Sequence, residues 1–303
     1  MARPFTRTPL ASRAQPPYDR FYKLMIPVLF QLGPITIYSF GLMMALGAIV
    51  GNLVLASECR RRGYNPDFAN AVVVWGAIAG IAGARIYDVF DNWPIYRADP
   101  WSIFFSGAGF IWYGGLVAGI LATLLVARRY KVPILTALDM CAPALILGQA
   151  FGRMGCQLSG DGDWGLPSTL PWAMAYPRAI VGWNAQSVLK LDAQNNLVSG
   201  YFPGVRVHPA PIYEVILYVS IFFILWSLRK KTTVEGRILY LYLMLAGLAR
   251  FLAEFVRINP RVLWGLSEAQ LISIVMMAGG AVAWYWSSVR QPVAQAGREA
   301  LRA

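Results

Sequence analysis

The stretch Pro211–Leu228, PIYEVILYVSIFFILWSL, decides the fold. Apart from tyrosine it carries one ionisable group, Glu214, in a run long enough to cross a hydrocarbon core, which takes about 20 predominantly apolar residues in a helix. Prolines 209 and 211 bound it on one side and Arg229-Lys230-Lys231 on the other. A basic cluster directly after an apolar run marks the cytoplasmic end of a span. Working outward, six further runs read the same way: Thr36–Ala56, Asn70–Phe90, Phe110–Ala127, Pro133–Phe151, Arg237–Phe255 and Ala269–Val289. The chain is therefore expected to be an all-α integral membrane protein of about seven transmembrane helices.

Composition agrees. Hydrophobic residues make up 57% of the 303 positions and charged residues only 14%, against roughly 25% charged in a soluble domain. Such a chain could not cover its surface in water. The net charge of +12 would suggest nucleic acid in a soluble protein, but here the basic residues fall between apolar runs, at Arg60-Arg61-Arg62, Arg128-Arg129-Tyr130-Lys131 and Arg229-Lys230-Lys231. That is a topology signal, so no nucleic-acid partner is expected. Setting these connections inside puts the N-terminus outside and the C-terminus inside. The N-terminal Arg3, Arg7, Arg13, Arg20 and Lys23 oppose that orientation.

The same reading divides the chain. Residues 1–33 form a basic tail and an interfacial segment, with Leu24–Leu32 an interfacial helix leading into the first span. Residues 34–156 hold helices one to four. Residues 157–208, rich in Trp, Pro, Gly and Asn (Trp164, Trp172, Trp183, Asn195-Asn196), form a small extracytoplasmic head of turns and short strands between helices four and five. Residues 209–289 hold helices five to seven, and 290–303 a disordered cytoplasmic tail. With three scattered cysteines (Cys59, Cys141, Cys156) and one histidine, neither a disulfide framework nor a zinc site is expected.

Ionisable residues inside spans cost about 2.5 kcal/mol or more each and default to function. Arg85 and Asp88 fall in the second run, Asp139 and Arg153 in or at the end of the fourth, Glu214 in the fifth, and Arg250 and Glu254 in the sixth, with Arg257 just beyond. Arg250, Glu254 and Arg257, at i, i+4 and i+7, are expected on one helix face. Two readings stand side by side: a buried ion-pair lattice that locks helices together, or arginines left free to grip an anion. The guanidinium fork suits a phosphate, and in a bilayer that phosphate belongs to a lipid head group.

Three further constellations accompany this one. Gly152-Arg153-Met154-Gly155-Cys156 runs into Ser159-Gly160-Asp161-Gly162-Asp163-Trp164-Gly165. The glycines predict that the helix breaks there, leaving Arg153 at irregular backbone whose N–H groups face an anion; a plain helix exit is the alternative. A calcium loop on Asp161 and Asp163 lacks the remaining oxygen ligands. Tyr113-Gly114-Gly115, with Gly119 beyond, suits close helix packing, which leaves the tyrosine hydroxyl unexplained. His208-Pro209-Ala210-Pro211-Ile212-Tyr213-Glu214 leads from the external segment into the fifth span, with His208 either a hydrogen-bonded structural residue or a proton carrier.

In this order the four constellations resemble the prolipoprotein diacylglyceryl transferases of bacterial inner membranes. Gly152-Arg153-Met154-Gly155 with Ser159-Gly160-Asp161 is similar to the family's Gly-Arg-x-Gly-Asn leading to Asn-Gly-Glu. Arg250-Phe251, Glu254 and Arg257 are similar to its Arg-Phe-x-x-Glu-x-x-Arg, His208-Pro209 with Tyr213-Glu214 to its His-Pro-x-x-x-Tyr-Glu, and Gly83-Ala84-Arg85 to the Gly-Ala-Arg of its second span. The resemblance covers roughly residues 33 to 289. It departs at Tyr113, where the family often has histidine, at Cys156, which stands for asparagine, and at Ser39-Phe40, where a tyrosine is common and Tyr38 lies nearby. These substitutions look like those of a divergent branch.

The resemblance implies transfer of the diacylglyceryl group of phosphatidylglycerol to the lipobox cysteine thiol of a prolipoprotein, giving a thioether and glycerol phosphate, with no cofactor or metal. It implies Arg153 on the lipid phosphate and Arg250 on the leaving group. Gly114, Gly115, Gly155, Arg85, Glu214, Glu254 and Arg257 would contact substrate. Either the positive site alone lowers the thiol's pKa enough to need no dedicated base, or, if a base acts, His208 is the better-matched one, since histidine titrates near 6.5 and tyrosine near 10. Tyr113 would be a hydrogen-bond donor to phosphate or ester. Rival expectations are another phospholipid head-group transferase, an anion or lipid transporter, or a non-catalytic membrane subunit.

Overall fold

The computed structural model describes residues 25–33, 35–99, 101, 111–183, 205–232 and 234–300. Its helices are α1 (Ser39–Arg62), α2 (Asp67–Asp91), α3 (Trp93–Ala98), α4 (Trp112–Arg129), α5 (Ile134–Ser159), α6 (Ala210–Leu228), α7 (Arg237–Ala253, continued by a 3₁₀ turn Glu254–Val256) and α8 (Glu268–Ala300). Two antiparallel hairpins accompany them, β1–β2 (Val28–Leu32, Ile35–Tyr38) and β3–β4 (Arg261–Leu263, Leu266–Ser267).

Six segments are long and apolar enough to cross a bilayer: Ser39–Arg62, Asp67–Asp91, Ile134–Ser159, Ala210–Leu228, Arg237–Val256 and Glu268–Val289. The third expected run is α4, whose described part starts at Trp112; Phe110 lies outside the described residues. Its paired glycines and terminal arginines dilute its apolar content, so it is not among the six.

The outer surface carries large apolar side chains, among them Leu53, Ile81, Leu125, Ile216, Phe223 and Val275, each more than half exposed. Inside, large apolar residues such as Ile146, Ile221, Leu225 and Ile238 pack together with small residues and buried polar groups. An apolar outer surface suits hydrocarbon, where helices also associate through close packing of small residues. Glycines on α2 and α4 show why: a Cβ on Gly115 would lie 3.0 Å from the Gly80 carbonyl, and Gly114 meets the Gly83 carbonyl more closely still. α5 is the most enclosed helix, packed on α1, α6 and α7.

At the end of α1 near its basic cluster, Glu58, 1% exposed, accepts hydrogen bonds from Arg61 (2.6 Å) and Arg229 (2.6 Å). Asp139 accepts the backbone N–H groups of Gly236 and Leu239, both at 2.8 Å, and lies 3.7 Å from Arg62. It thus supplies the start of α7 with acceptors for helix N–H groups that have no intrahelical partner. Its place inside the apolar run is structural.

Several expectations are corrected. The segment before the first span is a hairpin, not a helix: Leu24 lies outside the described residues, and Val28–Leu32 pairs with Ile35–Tyr38. Pro27 and a run of apolar residues on both sides of the turn favour extended pairing over an isolated helical turn. The first span accordingly starts at Ser39 rather than Thr36. The fourth does not stop at Phe151 but runs to Ser159, where Gly160 takes a left-handed φ of +62°. Gly152 and Gly155 are inside it, since a glycine weakens a helix by only about 1 kcal/mol and tight packing offsets that: a Cβ on Gly155 would come within 3.1 Å of Phe40. The tail beyond Val289 continues α8 to Ala300. Between α5 and α6 the described residues hold turns and single bridges, Pro167 and Met174 each facing Val207, in place of the expected short strands. Buried Trp164 and Tyr176 (ring centroids 5.1 Å apart), with Met25, Met174 and Val207, form their core. Residues 184–204, with Asn195-Asn196, lie outside the described part.

The α2–α4 seam yields a test. Gly114→Ala should lower the melting temperature in detergent by several degrees, because its Cβ meets the Gly83 backbone. Gly76→Ala, on the same helix pair but with nothing within 4 Å, should leave it within a degree or so.

Candidate active site

The last turns of α5, the first turn of α6, the end of α7 and the loop after α5 converge on one cluster of charges. Glu214, fully buried, is its hub. Arg250 Nη1 donates to Glu214 Oε1 at 2.7 Å, and Arg153 Nε lies 2.6 Å from Glu214 Oε2. The second contact is a close ion pair without the alignment of a hydrogen bond, since that oxygen has no aligned donor. Arg257 Nη1 stands 3.7 Å from the same oxygen. Glu254, also fully buried, faces Arg250 at 3.0 Å and Arg257 at 3.7 Å and accepts from Asn259 at 2.5 Å. Asp163 completes the lattice, accepting from Arg153 Nη1 and, at 2.5 Å, from Arg257 Nη2.

Three guanidinium groups thus meet three carboxylates, and formal charge balances. Exposure does not: both glutamates are sealed in and Arg257 is 6% exposed, whereas Arg153, Arg250 and Asp163 keep 24%, 23% and 32% of their side chains open. The open members form one edge of the lattice. Burial works against the charge on Asp163, but Arg257 and Arg153 more than offset it and hold its carboxyl below the usual carboxylate range. Burial and the neighbouring Asp163 push the Asp161 carboxyl up.

The expectation that Arg250, Glu254 and Arg257 share an α-helical face is corrected. The α-helix ends at Ala253, Glu254 begins a 3₁₀ turn, and Arg257 is extended (φ −89°, ψ 152°). The side chains still meet because Arg257 folds back onto Asp163 and Glu254. Nor does Arg153 stand at irregular backbone. It projects from continuous helix, with no freed N–H groups beside it, and the irregular chain begins about two turns later at Gly160.

Among the described residues, the other sequence candidates make no ion pair with the lattice, although Tyr113 stands within electrostatic reach of Arg250. Gly114 and Gly115 pack on α2 and Gly155 on α1. Arg85 lies 3.6 Å from Asp88 and 5.3 Å from the Tyr96 ring centroid. Tyr113 donates to Glu268 at the start of α8. His208 Nδ1 is 3.2 Å from the Tyr213 hydroxyl, which accepts from Trp172 at 2.7 Å. Its backbone donates to Leu166 and accepts from Gly165, anchoring the loop to the head of α6. Asp163 is the lattice member that sequence reasoning did not name as a partner of arginine. An acid ten positions after Arg153, past Gly160 and Gly162, reaches it only because the chain reverses there.

The model of the prolipoprotein diacylglyceryl transferase family matches residues 27–286. The phosphatidylglycerol–prolipoprotein diacylglyceryl transferase of Clostridium tetani is 31% identical over 252 residues, 82% of this chain and 93% of that protein. That of Synechocystis sp. is 32% identical over 272 residues, covering 86% and 88%, and that of Clostridioides difficile 31% over 262 residues, covering 86% and 95%.

Removing one partner of a buried ion pair typically costs about 3–5 kcal/mol. Glu214→Ala, which leaves Arg153 and Arg250 without their shared partner, should fall in that range in a reversible unfolding assay. Asp163 has a pH signature. A carboxyl held low contributes stability that is present above its unfolded value, about 3.9, and is lost as pH falls through the folded value. Melting temperatures measured from pH 7 downward should therefore drop below about pH 4 in the wild type and drop less steeply in Asp163→Asn.

Proposed function

We propose, for a chain that belongs to the prolipoprotein diacylglyceryl transferase family, that it transfers the diacylglyceryl group of phosphatidylglycerol to the lipobox cysteine thiol of prolipoproteins, releasing glycerol phosphate. The single observation that carries the site assignment is the open edge of the lattice. Arg153 and Arg250 are held by buried carboxylates at their backs and keep about a quarter of their side chains exposed.

The reaction forms a carbon–sulfur bond and breaks a carbon–oxygen bond, so negative charge grows on the departing phosphate. Arginines fixed in advance stabilise that charge without reorganising as it forms. Arg153 binds the lipid phosphate. Its exposed partner Asp163 is the carboxylate that phosphate replaces, because Glu214 is sealed behind. Arg250 stabilises the leaving group. Glu214, Glu254 and Arg257 position the two arginines rather than touch lipid. Tyr113 and His208 are tied to Glu268 and Tyr213, respectively, which supports peripheral roles for both.

We further read α4 as a seventh span, supported by its packing along α2. The N-terminus and residues 157–208 then lie outside the bacterial inner membrane and the C-terminus inside, as the basic connections favour. The exact charge balance of the lattice also favours a second reading, a non-catalytic subunit in which the arginines only lock helices.

Transfer of label from phosphatidylglycerol to a lipobox peptide in proteoliposomes tests the assignment. Arg153→Ala and Arg250→Ala should each lower the rate by about 10²-fold or more while the protein still inserts. Loss of insertion with an unchanged specific rate in the surviving protein would favour the locking role. In the same assay Tyr113→Phe and His208→Asn should stay within about tenfold of wild type, a loss smaller than general acid–base catalysis supplies.

A further inference from the structure

Beside the lattice, an open apolar cleft of about 620 Å³ runs between the N-terminal hairpin and the end of α5. One wall is Thr36, Ile37 and Tyr38 of β2 with Phe40, Gly41 and Leu42 of α1; the other is Ser159, Asp161 and Ile180. Ile26, just before the hairpin, donates its N–H to the Leu158 carbonyl at 3.2 Å, and within the second wall Ile180 N–H donates to the Ser159 carbonyl at 3.0 Å. Met25, 1% exposed, packs with Trp164 and Met174. Such a cleft suits an apolar segment arriving from the membrane. Apart from the hydroxyl of Tyr38, its one ionisable group is Asp161.

Asp161 also adjoins the lattice. An oxygen of Asp161, one of Asp163 and the Cys156 sulfur lie within 4.8 Å of one another. Asp161 Oδ1 accepts the Asp163 N–H at 3.2 Å. Arg153 Nη1, which holds Asp163, is 3.9 Å from the Cys156 sulfur. A group seated against Asp161 in the cleft is thus one residue away from the arginine assigned to the lipid phosphate.

We propose that Asp161 is the base that takes the proton of the acceptor thiol, which reaches it through this cleft on an apolar peptide segment. The inference rests on the transferase reading above. The thiol S–H proton passes to an Asp161 oxygen as sulfur bonds to the glyceryl carbon. The carbon–oxygen bond to phosphate breaks, its electron pair leaves with glycerol phosphate on Arg153 and Arg250, and Asp161 returns the proton to water. An ordinary carboxylate is a weak base toward a thiol, about 4.5 units apart. Burial and Asp163 raise Asp161 and so narrow that gap, whereas Arg153 favours the thiolate and the Asp161 carboxylate alike, and the Cys156 thiol also favours the carboxylate through a hydrogen bond. The two alternative proton acceptors, His208 and Tyr113, are not among the residues that line the cleft.

The test uses the full chain in phosphatidylglycerol vesicles with a fluorescent peptide, an apolar run ending in the lipobox cysteine. Asp161→Asn should lower kcat by about 10²-fold or more, leave KM within about threefold and keep the wild-type melting temperature. It should also abolish the acid limb of the pH profile. In the wild type that limb lies above the usual carboxylate value of about 4, because of burial and Asp163. Among the described residues, the charged and titratable groups facing Asp161 are Asp163, Arg153, Cys156 (whose thiol is hydrogen-bonded to it), Tyr176 and, across the cleft, Tyr38; Asp163 is held low and titrates below the limb. A kcat within threefold of wild type, or an unchanged acid limb, would overturn the proposal. Should Asp161→Asn fail to fold, Asp161→Glu decides: turnover with a displaced acid limb supports the base, and turnover with an undisplaced limb, or none in a folded protein, refutes it. Wild-type protein that forms no thioether would defeat the transferase reading itself, a result separate from any behaviour of Asp161 variants.

Discussion

A carboxylate with no exposed surface, Glu214, holds one end of the helix bundle together. Placing it there is costly, since even after relaxation a buried ion loses several kcal/mol of hydration. Its two oxygens recover that by facing Arg250 and Arg153, with Arg257 behind, so that α5, α6 and α7 meet at one residue. Helix packing around it depends on the match. If Glu214 were absent, two guanidinium groups would sit among apolar helices with too few acceptors, and the helix ends would separate.

The bilayer explains why this expense is concentrated at the ends of the helices. Between them, contact is apolar. Helices α2 and α4 meet through glycines, with backbones close enough that a Cβ at Gly115 would crowd the Gly80 carbonyl, and α5, α6 and α7 meet through Ile146, Ile221, Leu225 and Ile238. At one end Glu58 and Asp139 gather Arg61, Arg62 and Arg229 and start α7; at the other, Glu214, Glu254 and Asp163 gather Arg153, Arg250 and Arg257. The first set is bound to backbone and helix ends, a structural duty. The second leaves side chains open, and that asymmetry separates a brace from a site.

The membrane class was legible from apolar runs alone, because length and charge content have one interpretation in hydrocarbon. The residues of the lattice were legible too, since Arg153, Glu214, Arg250 and Glu254 are conspicuous against their surroundings. Pairing was not. Asp163 meets Arg153 only after the chain reverses at Gly160 and Gly162, both at positive φ, and a reversal leaves no periodic trace. Glycine misled in the other direction: Gly152 and Gly155 read as a helix break, yet they are helical because Phe40 and Met43 of α1 press against Gly155. Local propensity lost to tertiary packing there, as it did at Arg257, where an expected α-helical spacing is replaced by a 3₁₀ turn and extended chain.

Formal neutrality of the lattice does not disqualify it as an anion site. What matters is which carboxylate an incoming phosphate must displace. Glu214 and Glu254 are sealed, and removing either would strand buried charge. Asp163 is the most exposed acid, sits on a loop, and is shared by Arg153 and Arg257. The proposed exchange at Asp163 would substitute one anion for another on the same guanidinium, so the net electrostatic change would be small and the arginine would stay aimed throughout. A lattice with a surplus of positive charge would hold phosphate in the ground state and release it slowly. On the proposed reading, a balanced one with a single replaceable carboxylate at its edge would let lipid bind and glycerol phosphate leave.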